Sequence, residues 1–357
     1  MNFKLLSGFV VLAMFISSFS CSNKANRSRK PAIQINIETV HKKIVYGDDI
    51  NISISVKLKD GELKETKIFV DSVLVNATNK AEFTYTLKKF ENIGKHLLKA
   101  VAVKTDGVEG TYFKTFEVLS NIVPEKYGYE LVKSFPHNTT SFTEGFEIHN
   151  GFLYESTGEN GKSMLYKSNL KTGKAVQSVK LADRFFGEGI TIFKDHIFQL
   201  TYKTKVGFVY KLENMALVDS FHFESAEGWG MTHDEKYLIM SDGTNILTYI
   251  NPNTYKIVKK LQVYDDKNQM VYLNELEYSS EGYIYANLWT TNLIVKIDSK
   301  TGKVLSKIDL DGILSISNSS KQVDVLNGIA VDPDTKKLYV TGKLYPKIFE
   351  IKLVKKD

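Results

Sequence analysis

A repeat running through the larger, C-terminal part of the chain constrains its fold more than any other feature. Five segments share an acid or amide, then a small residue or carboxylate, then an apolar residue: Thr143-Glu144-Gly145-Phe146, Gly187-Glu188-Gly189-Ile190, Ala226-Glu227-Gly228-Trp229, Leu273-Asn274-Glu275-Leu276 and Leu326-Asn327-Gly328-Ile329. The leading residues 144, 188, 227, 274 and 327 lie 44, 39, 47 and 53 positions apart. A mean spacing near 46 is that of one four-stranded propeller blade, a unit that buries its faces only by stacking on neighbours. A second marker sets the phase. Asn169-Leu-Lys-Thr-Gly-Lys174, Asn251-Pro-Asn-Thr-Tyr-Lys256 and Asp298-Ser-Lys-Thr-Gly-Lys303 are turns of one type, 25, 24 and 24 residues after their blade markers. In the second blade the polar turn around Glu213 and Asn214 sits at the same offset. Each blade therefore reads strand, strand, strand, turn, strand.

The last blade is one strand short. After Asn327 the chain offers Gly328–Val331, Leu338–Thr341 and Ile348–Leu353 and then stops. Tyr129–Phe135, just ahead of the first marker, supplies the missing outer strand, because a propeller avoids an open seam by pairing one terminus into its last blade. No apolar period of 3.6 residues is sustained over a helical length. The expected fold is all-β: a five-bladed β-propeller over residues 127–357.

Ahead of it, Ile33–Val118 alternates in short strands: Ile50–Val56, Lys67–Val70, Ala81–Thr86, Leu97–Lys104 and Thr111–Val118, broken at Gly47-Asp48, Asp60-Gly61 and Asp106-Gly107. Roughly seven such strands predict a small immunoglobulin-like β-sandwich over 32–120, with Asn121–Lys126 as linker. It carries no acid–base pair and reads as a spacer or docking module.

The amino terminus is a targeting segment. Lys4 precedes an uncharged stretch, Leu5–Ser20, of signal-peptide length, and Ser18-Phe19-Ser20-Cys21 resembles a bacterial lipoprotein cleavage box. Cys21 is the single cysteine, so it has no internal disulfide partner. The expectation is a signal peptide over 1–20, a lipidated tether over 21–31 and an exported lipoprotein on a bacterial membrane, periplasmic or at the cell surface. Residues 1–30 contribute five of the six net positive charges, so no basic stripe marks the body and nucleic acid is not an expected partner.

In a propeller the first strand of each blade lines the central channel, which gathers Glu144, Glu188, Glu227, Asn274 and Asn327 at one mouth. Second strands run antiparallel and return to that mouth 12–16 residues later. Their ends hold Ser156-Thr157-Gly158, Thr201-Tyr202, Ser241-Asp242-Gly243, Trp289-Thr290 and Thr341-Gly342-Lys343. Both tryptophans, Trp229 and Trp289, fall on this rim. Polar rings at propeller mouths often hold only water, yet three carboxylates facing one channel are costly without a use.

At these residues the sequence resembles the plant-type and bacterial glutamine cyclotransferase family from about Phe142 to Leu353. The resemblance is carried by Ser141-Phe-Thr-Glu-Gly145, Tyr154-Glu-Ser-Thr-Gly158, Phe186-Gly-Glu-Gly-Ile-Thr191, Glu227-Gly-Trp-Gly230, Met240-Ser-Asp-Gly243, Leu273-Asn-Glu-Leu-Glu277, Ala286-Asn-Leu-Trp289, Val325-Leu-Asn-Gly-Ile329 and Thr341-Gly-Lys343. It implies a five-bladed propeller that closes N-terminal glutamine into pyroglutamate with release of ammonia, acting on peptides or proteins that begin with glutamine. It also implies Glu188 as the acid–base residue and Trp229, Trp289, Asn274 and Lys343 as pocket residues, with Phe142, Glu144 and Tyr202 beside them in the substrate site. Three positions depart from the family pattern: Glu144 where plant members typically have Gln, and Tyr202 and Tyr345 where Trp is common. The tyrosines are expected to alter pocket shape.

That chemistry needs a proton shuttle, assigned to Glu188, and oxyanion donors, assigned to Asn274 and Lys343. It needs no enzyme nucleophile, because amine and carboxamide are already tethered. The seven histidines show no metal-ligand spacing. No metal site or required cofactor is expected, although a structural calcium is compatible with a ring of Glu and Asn. A monomer is expected. The alternatives are a metal-dependent lactonase-like propeller and a non-catalytic propeller that binds a peptide or glycan.

Overall fold

The computed structural model describes residues 28–39, 43–315 and 323–356, and it is built of strands alone among its regular elements of four residues or more. The first eight strands form two facing sheets. One has the order β1 (Ala32–Glu38), β3 (Ile50–Lys57), β6 (Glu82–Leu87). The other runs β2 (Ile44–Val45), β8 (Glu109–Leu119), β7 (Gly94–Lys104), β4 (Leu63–Val70), β5 (Val73–Thr78). Strict alternation along β3 turns Ile50, Ile52, Ile54 and Val56 inward against Ile68, Leu98, Ala100 and Val118 of the facing sheet. Of the predicted tether, residues 21–27 and Cys21 with them lie outside the described residues. Ser28 and Arg29 are held by Asp60, Lys104 and Asp106.

The repeat is a propeller of five four-stranded blades. Blade 1 is β10 (Thr143–His149), β11 (Phe152–Thr157), β12 (Met164–Asn169) and β13 (Ala175–Lys180). Blade 2 is β14 (Gly187–Phe193), β15 (His196–Thr201), β16 (Val206–Lys211) and β17 (Leu217–His222). Blade 3 is β18 (Met231–His233), β19 (Leu238–Met240), β20 (Ile246–Ile250) and β21 (Ile257–Gln262). Blade 4 is β22 (Leu273–Ser279), β23 (Tyr283–Leu288), β24 (Leu293–Asp298) and β25 (Val304–Asp309). Blade 5 takes β26 (Leu326–Val331), β27 (Leu338–Gly342) and β28 (Lys347–Lys355) from the end of the chain and β9 (Glu125–Pro136) from ahead of the first marker. The repeated turns are one structure: Asn169, Asn251 and Asp298 each accept main-chain N–H bonds two and three residues on. That is why only Asn or Asp opens the motif.

The closing strand is longer than the sequence suggests. It begins at Glu125, inside the expected linker, and pairs antiparallel with β28 from Lys347↔Pro136 to Lys355↔Tyr127. Its first residues also pair in parallel with β25, Glu125 opposite Ser306, so blades 4 and 5 share one eight-stranded sheet.

The repeat marker proves to be a β-bulge. Register slips between Thr143 and Gly145, Gly187 and Ile190, Leu273 and Leu276, and Leu326 and Ile329, at Glu144, Glu188, Asn274 and Asn327. A bulge takes its residue out of the ladder and re-aims the side chain. The small residue that follows lets inner strands touch: a Cβ on Gly145 would sit 2.5 Å from the Ile190 nitrogen, and one on Gly189 2.4 Å from that of Met231. Blade 3 departs from this, its inner strand starting only at Met231, four residues after Glu227.

Further along the channel Glu275 and Glu277 are buried and Glu147 is half-buried, none of them singled out in the sequence. Each joins two blades by accepting a main-chain N–H: Glu147 from Ile192 at 2.9 Å, Glu275 from Ile329 at 2.7 Å and Glu277 from Val331 at 2.8 Å. Burial raises all three carboxyl pKa values, that of Glu147 to about 7.

Candidate active site

At the mouth bearing the bulges lies a cavity of about 180 Å³ lined by Phe142, Glu144, Phe186, Glu188, Tyr202, Trp229, Asn274, Trp289 and Lys343. These come from first-strand starts and second-strand ends of all five blades. The eight propeller residues predicted for the site meet here. Cys21 lies outside the described residues. Tyr345 does not line the cavity: it is fully buried in the core of blade 5, so its replacement of a tryptophan acts on packing instead of pocket shape. Phe186 was missed. Its signal was positional, since it stands two residues before marker Glu188, as Phe142 does before Glu144.

Glu144 is the electrostatic hub. Its Oε1 accepts from Lys343 Nζ at 2.7 Å and its Oε2 from Asn327 Nδ2 at 3.1 Å. Glu188 hydrogen-bonds Glu144 and is buried like it. Burial raises both carboxyl pKa values. For Glu144 the Lys343 ammonium opposes the rise, leaving it at about 7. For Glu188 burial is joined by the charge of Glu144, and the pKa goes well above the usual carboxylate range. Of the two, Glu188 is the carboxyl that keeps a proton more firmly, and Glu144 is the one paired with Lys343.

Aromatic rings wall this polar floor. Phe142 and Phe186 meet edge to face at 6.2 Å, Phe186 and Tyr202 at 5.7 Å, and Trp229 and Trp289 edge to face at 5.5 Å. Lys343 Nζ also lies 4.6 Å from the Phe142 ring centre. Trp229 donates its Nε1–H to Glu227 at 3.0 Å, which locks the indole and gives Glu227 an orienting role outside the cavity lining. Asn274 has a buried Oδ1 with no partner among the described residues. As oriented it offers an acceptor, where the sequence reading expected a donor. Rotating the amide about its last bond exchanges the two.

Behind the floor a buried clamp fixes the segments carrying Phe142 and Lys343. His137 Nε2 lies 3.0 Å from Glu155 Oε1, and its Nδ1 is 2.8 Å from the Tyr345 carbonyl. Ser141 and Thr143 donate their hydroxyls to the same Glu155 carboxylate at 3.2 and 2.7 Å. Burial opposes a charge on His137, but the charge and hydrogen bond of Glu155 and the Tyr345 carbonyl outweigh it and raise its pKa.

Two raised carboxylates, a lysine and an amide in an aromatic-walled cavity, with no side chain set up as a nucleophile, define a propeller with an acid–base site for a small group. The glutamine cyclotransferase family model matches residues 108–353, and the chain belongs to that family. The match opens inside β8, earlier than the Phe142 at which the motif resemblance starts. The chain is 40% identical over 227 residues to the glutaminyl-peptide cyclotransferase of Arabidopsis thaliana, covering 63% of this chain and 71% of that one. It also superposes on the glutaminyl cyclase of Myxococcus xanthus with a TM-score of 0.61 and 30% identity, covering 66% of this chain and all of the other.

Proposed function

We propose that this chain is a glutaminyl-peptide cyclotransferase in which Glu188 moves the proton and Glu144 with Lys343 sets its charge. The observation that carries the assignment of roles is the hydrogen-bonded pair of buried carboxyls opposite Trp229 and Trp289. The substrate's α-ammonium enters beside Glu144 and Glu188, and its charge favours ionisation of Glu188. Glu188 takes one proton from the α-nitrogen. The freed amine attacks the γ-carboxamide carbon, forming the ring C–N bond and a tetrahedral oxyanion. Lys343, with two protons not committed to Glu144, stabilises that oxyanion. Glu188 then gives that proton to the amide nitrogen and takes a second one from the cationic ring nitrogen. The old C–N bond breaks as the carbonyl re-forms, and the departing ammonia carries the second proton away from Glu188 as ammonium. Asn274 Oδ1 accepts from the carboxamide N–H and aims it at Glu188. The indoles exclude water and seat the side chain.

Only proton transfer and charge stabilisation are required, so no cofactor enters this mechanism. The decisive test incubates the protein with a Gln-initiated peptide, with and without a strong chelator, and reads loss of ammonia by mass spectrometry. Cyclisation under both conditions is expected. A chelator-abolished reaction would return the lactonase-like, metal-dependent reading, and no reaction at all would return a binding propeller.

We further propose that the protein is exported and lipidated on Cys21, supported by the Lys4, Leu5–Ser20 and Cys21 pattern. The two-sheet domain, read as immunoglobulin-like, then spaces the propeller from the membrane.

A further inference from the structure

The cavity has room for about six water volumes of about 30 Å³ each, which suits one residue. If an N-terminal glutamine fills it, the rest of the peptide leaves across the rim, and the rim is chemically lopsided. On the fourth-blade side stand Val271, Tyr272 and Trp289, 37%, 51% and 38% exposed. Trp289 lines the cavity and touches Trp229 inside, while Tyr272 lies 6.0 Å from Trp289 on its outer side. An aromatic run thus leads without a break from cavity wall to open surface. On the second-blade side the exposed group is Lys203, its Nζ 4.7 Å from the Tyr202 ring centre and 3.5 Å from Glu227.

Tyr272 stands two residues before marker Asn274, the place held by Phe142 and Phe186 in blades 1 and 2. Those two line the cavity, whereas Tyr272 faces out of it. Its backbone explains why. Tyr272 has φ +64°, a left-handed conformation disfavoured for a bulky residue. It is pinned there by its N–H to the Gly243 carbonyl at 2.8 Å and by its carbonyl accepting from Trp289 N at 2.9 Å. Such strain persists only where the surroundings impose it, and it collects at ligand clamps.

We propose that Tyr272 and Trp289, flanked by Val271, form a subsite for the second residue of the substrate, selecting aromatic and large apolar side chains there. The inference rests on the reading of the cavity as the seat of N-terminal glutamine. Tyr272 is a specificity residue in it, touching the substrate away from the reacting atoms. The test measures kcat and KM for the dipeptide amides Gln-Phe-NH2, Gln-Leu-NH2 and Gln-Gly-NH2 with the full chain and with Tyr272→Gly. Glycine removes the ring and accepts the left-handed backbone, so the variant is not put at risk of misfolding by the substitution. The parent should favour Gln-Phe-NH2 over Gln-Gly-NH2 by roughly tenfold in kcat/KM, carried by KM, the scale of one apolar contact. Tyr272→Gly should erase most of that ratio. Equal kcat/KM for the Phe and Gly amides in the parent, or a preference unchanged in Tyr272→Gly, would overturn the subsite while leaving the cyclase reading intact. Turnover of none of the three amides would instead sink the reading of the cavity, and the subsite with it.

Discussion

At the scale of single residues, the site turns on two carboxyls that compete for one proton. Glu188→Gln keeps shape and much of the hydrogen bonding but cannot accept and return a proton at neutral pH. Turnover on a Gln-initiated peptide should fall by roughly 10²–10⁴-fold with little change in KM. Glu144→Gln acts differently. In the proposed mechanism Glu188 works as a carboxylate, so activity should rise as pH climbs through its pKa. That pKa is held up by burial and by the negative charge of Glu144. Removing the charge also frees Lys343 to face Glu188, and both changes lower the pKa. The acidic limb of the pH–rate profile should therefore move to lower pH while activity survives. A pH–rate series on the parent and both variants, with thermal melts, checks this. Near-parental turnover of a folded Glu188→Gln protein would remove it as the shuttle, and loss confined to Glu144→Gln would transfer the role.

At the scale of elements, the bulges and the closing strand do most to build the site. Four bulges turn Glu144, Glu188, Asn274 and Asn327 out of their ladders toward one axis. The closing strand β9 holds the ring that keeps them converged, and it leads through His137 into the clamp on Glu155. Deleting residues through Leu119 removes both sheets of the first domain and leaves β9 whole. It also uncovers Tyr264, which packs on Ile93 and Leu119 and donates to Glu117 at 3.0 Å. That protein should be active with a modestly lowered Tm. Extending the deletion through Pro136 strips β28 of its partner and should give aggregated or inactive material. Circular dichroism, size exclusion and turnover distinguish the two, and soluble, fully active protein from the longer deletion would refute the role of β9.

At the scale of the whole molecule, domain and propeller are joined by several polar contacts, among them Tyr264 to Glu117 and Lys43 to the Lys267 carbonyl. The Gln262 side chain pairs with the main chain of Lys95 at 2.9 and 3.1 Å, and the Lys303 ammonium lies 3.1 Å from the Tyr46 ring centre. None of these residues lines the cavity, so attachment and catalysis should separate. Cys21→Ser is expected to release the protein from membranes with turnover unchanged, read by fractionation with and without detergent. Continued membrane association of the substituted protein would rule out the lipid anchor.

Blade number, phase and the missing outer strand were all legible in the sequence, because marker spacing and Asx turns are local properties that repeat. The polar rim was legible too, since strand alternation and antiparallel return place Glu188, Asn274, Trp289 and Lys343 at one mouth whatever the details. Other features depend on partners far apart in the chain, and only the tertiary structure decided them. The Glu144–Lys343 pair joins residues 199 positions apart. The clamp of His137 onto the Tyr345 carbonyl spans 208. The inter-blade bonds of Glu147, Glu275 and Glu277 arise where neighbouring inner strands meet. The split between Phe186, facing into the cavity, and Tyr272, facing out, goes with the left-handed backbone of Tyr272, whose N–H is held by the Gly243 carbonyl. Periodicity reports which face of a strand a residue takes; it carries no information on which charge lies opposite, and that is what sets the protonation of the site.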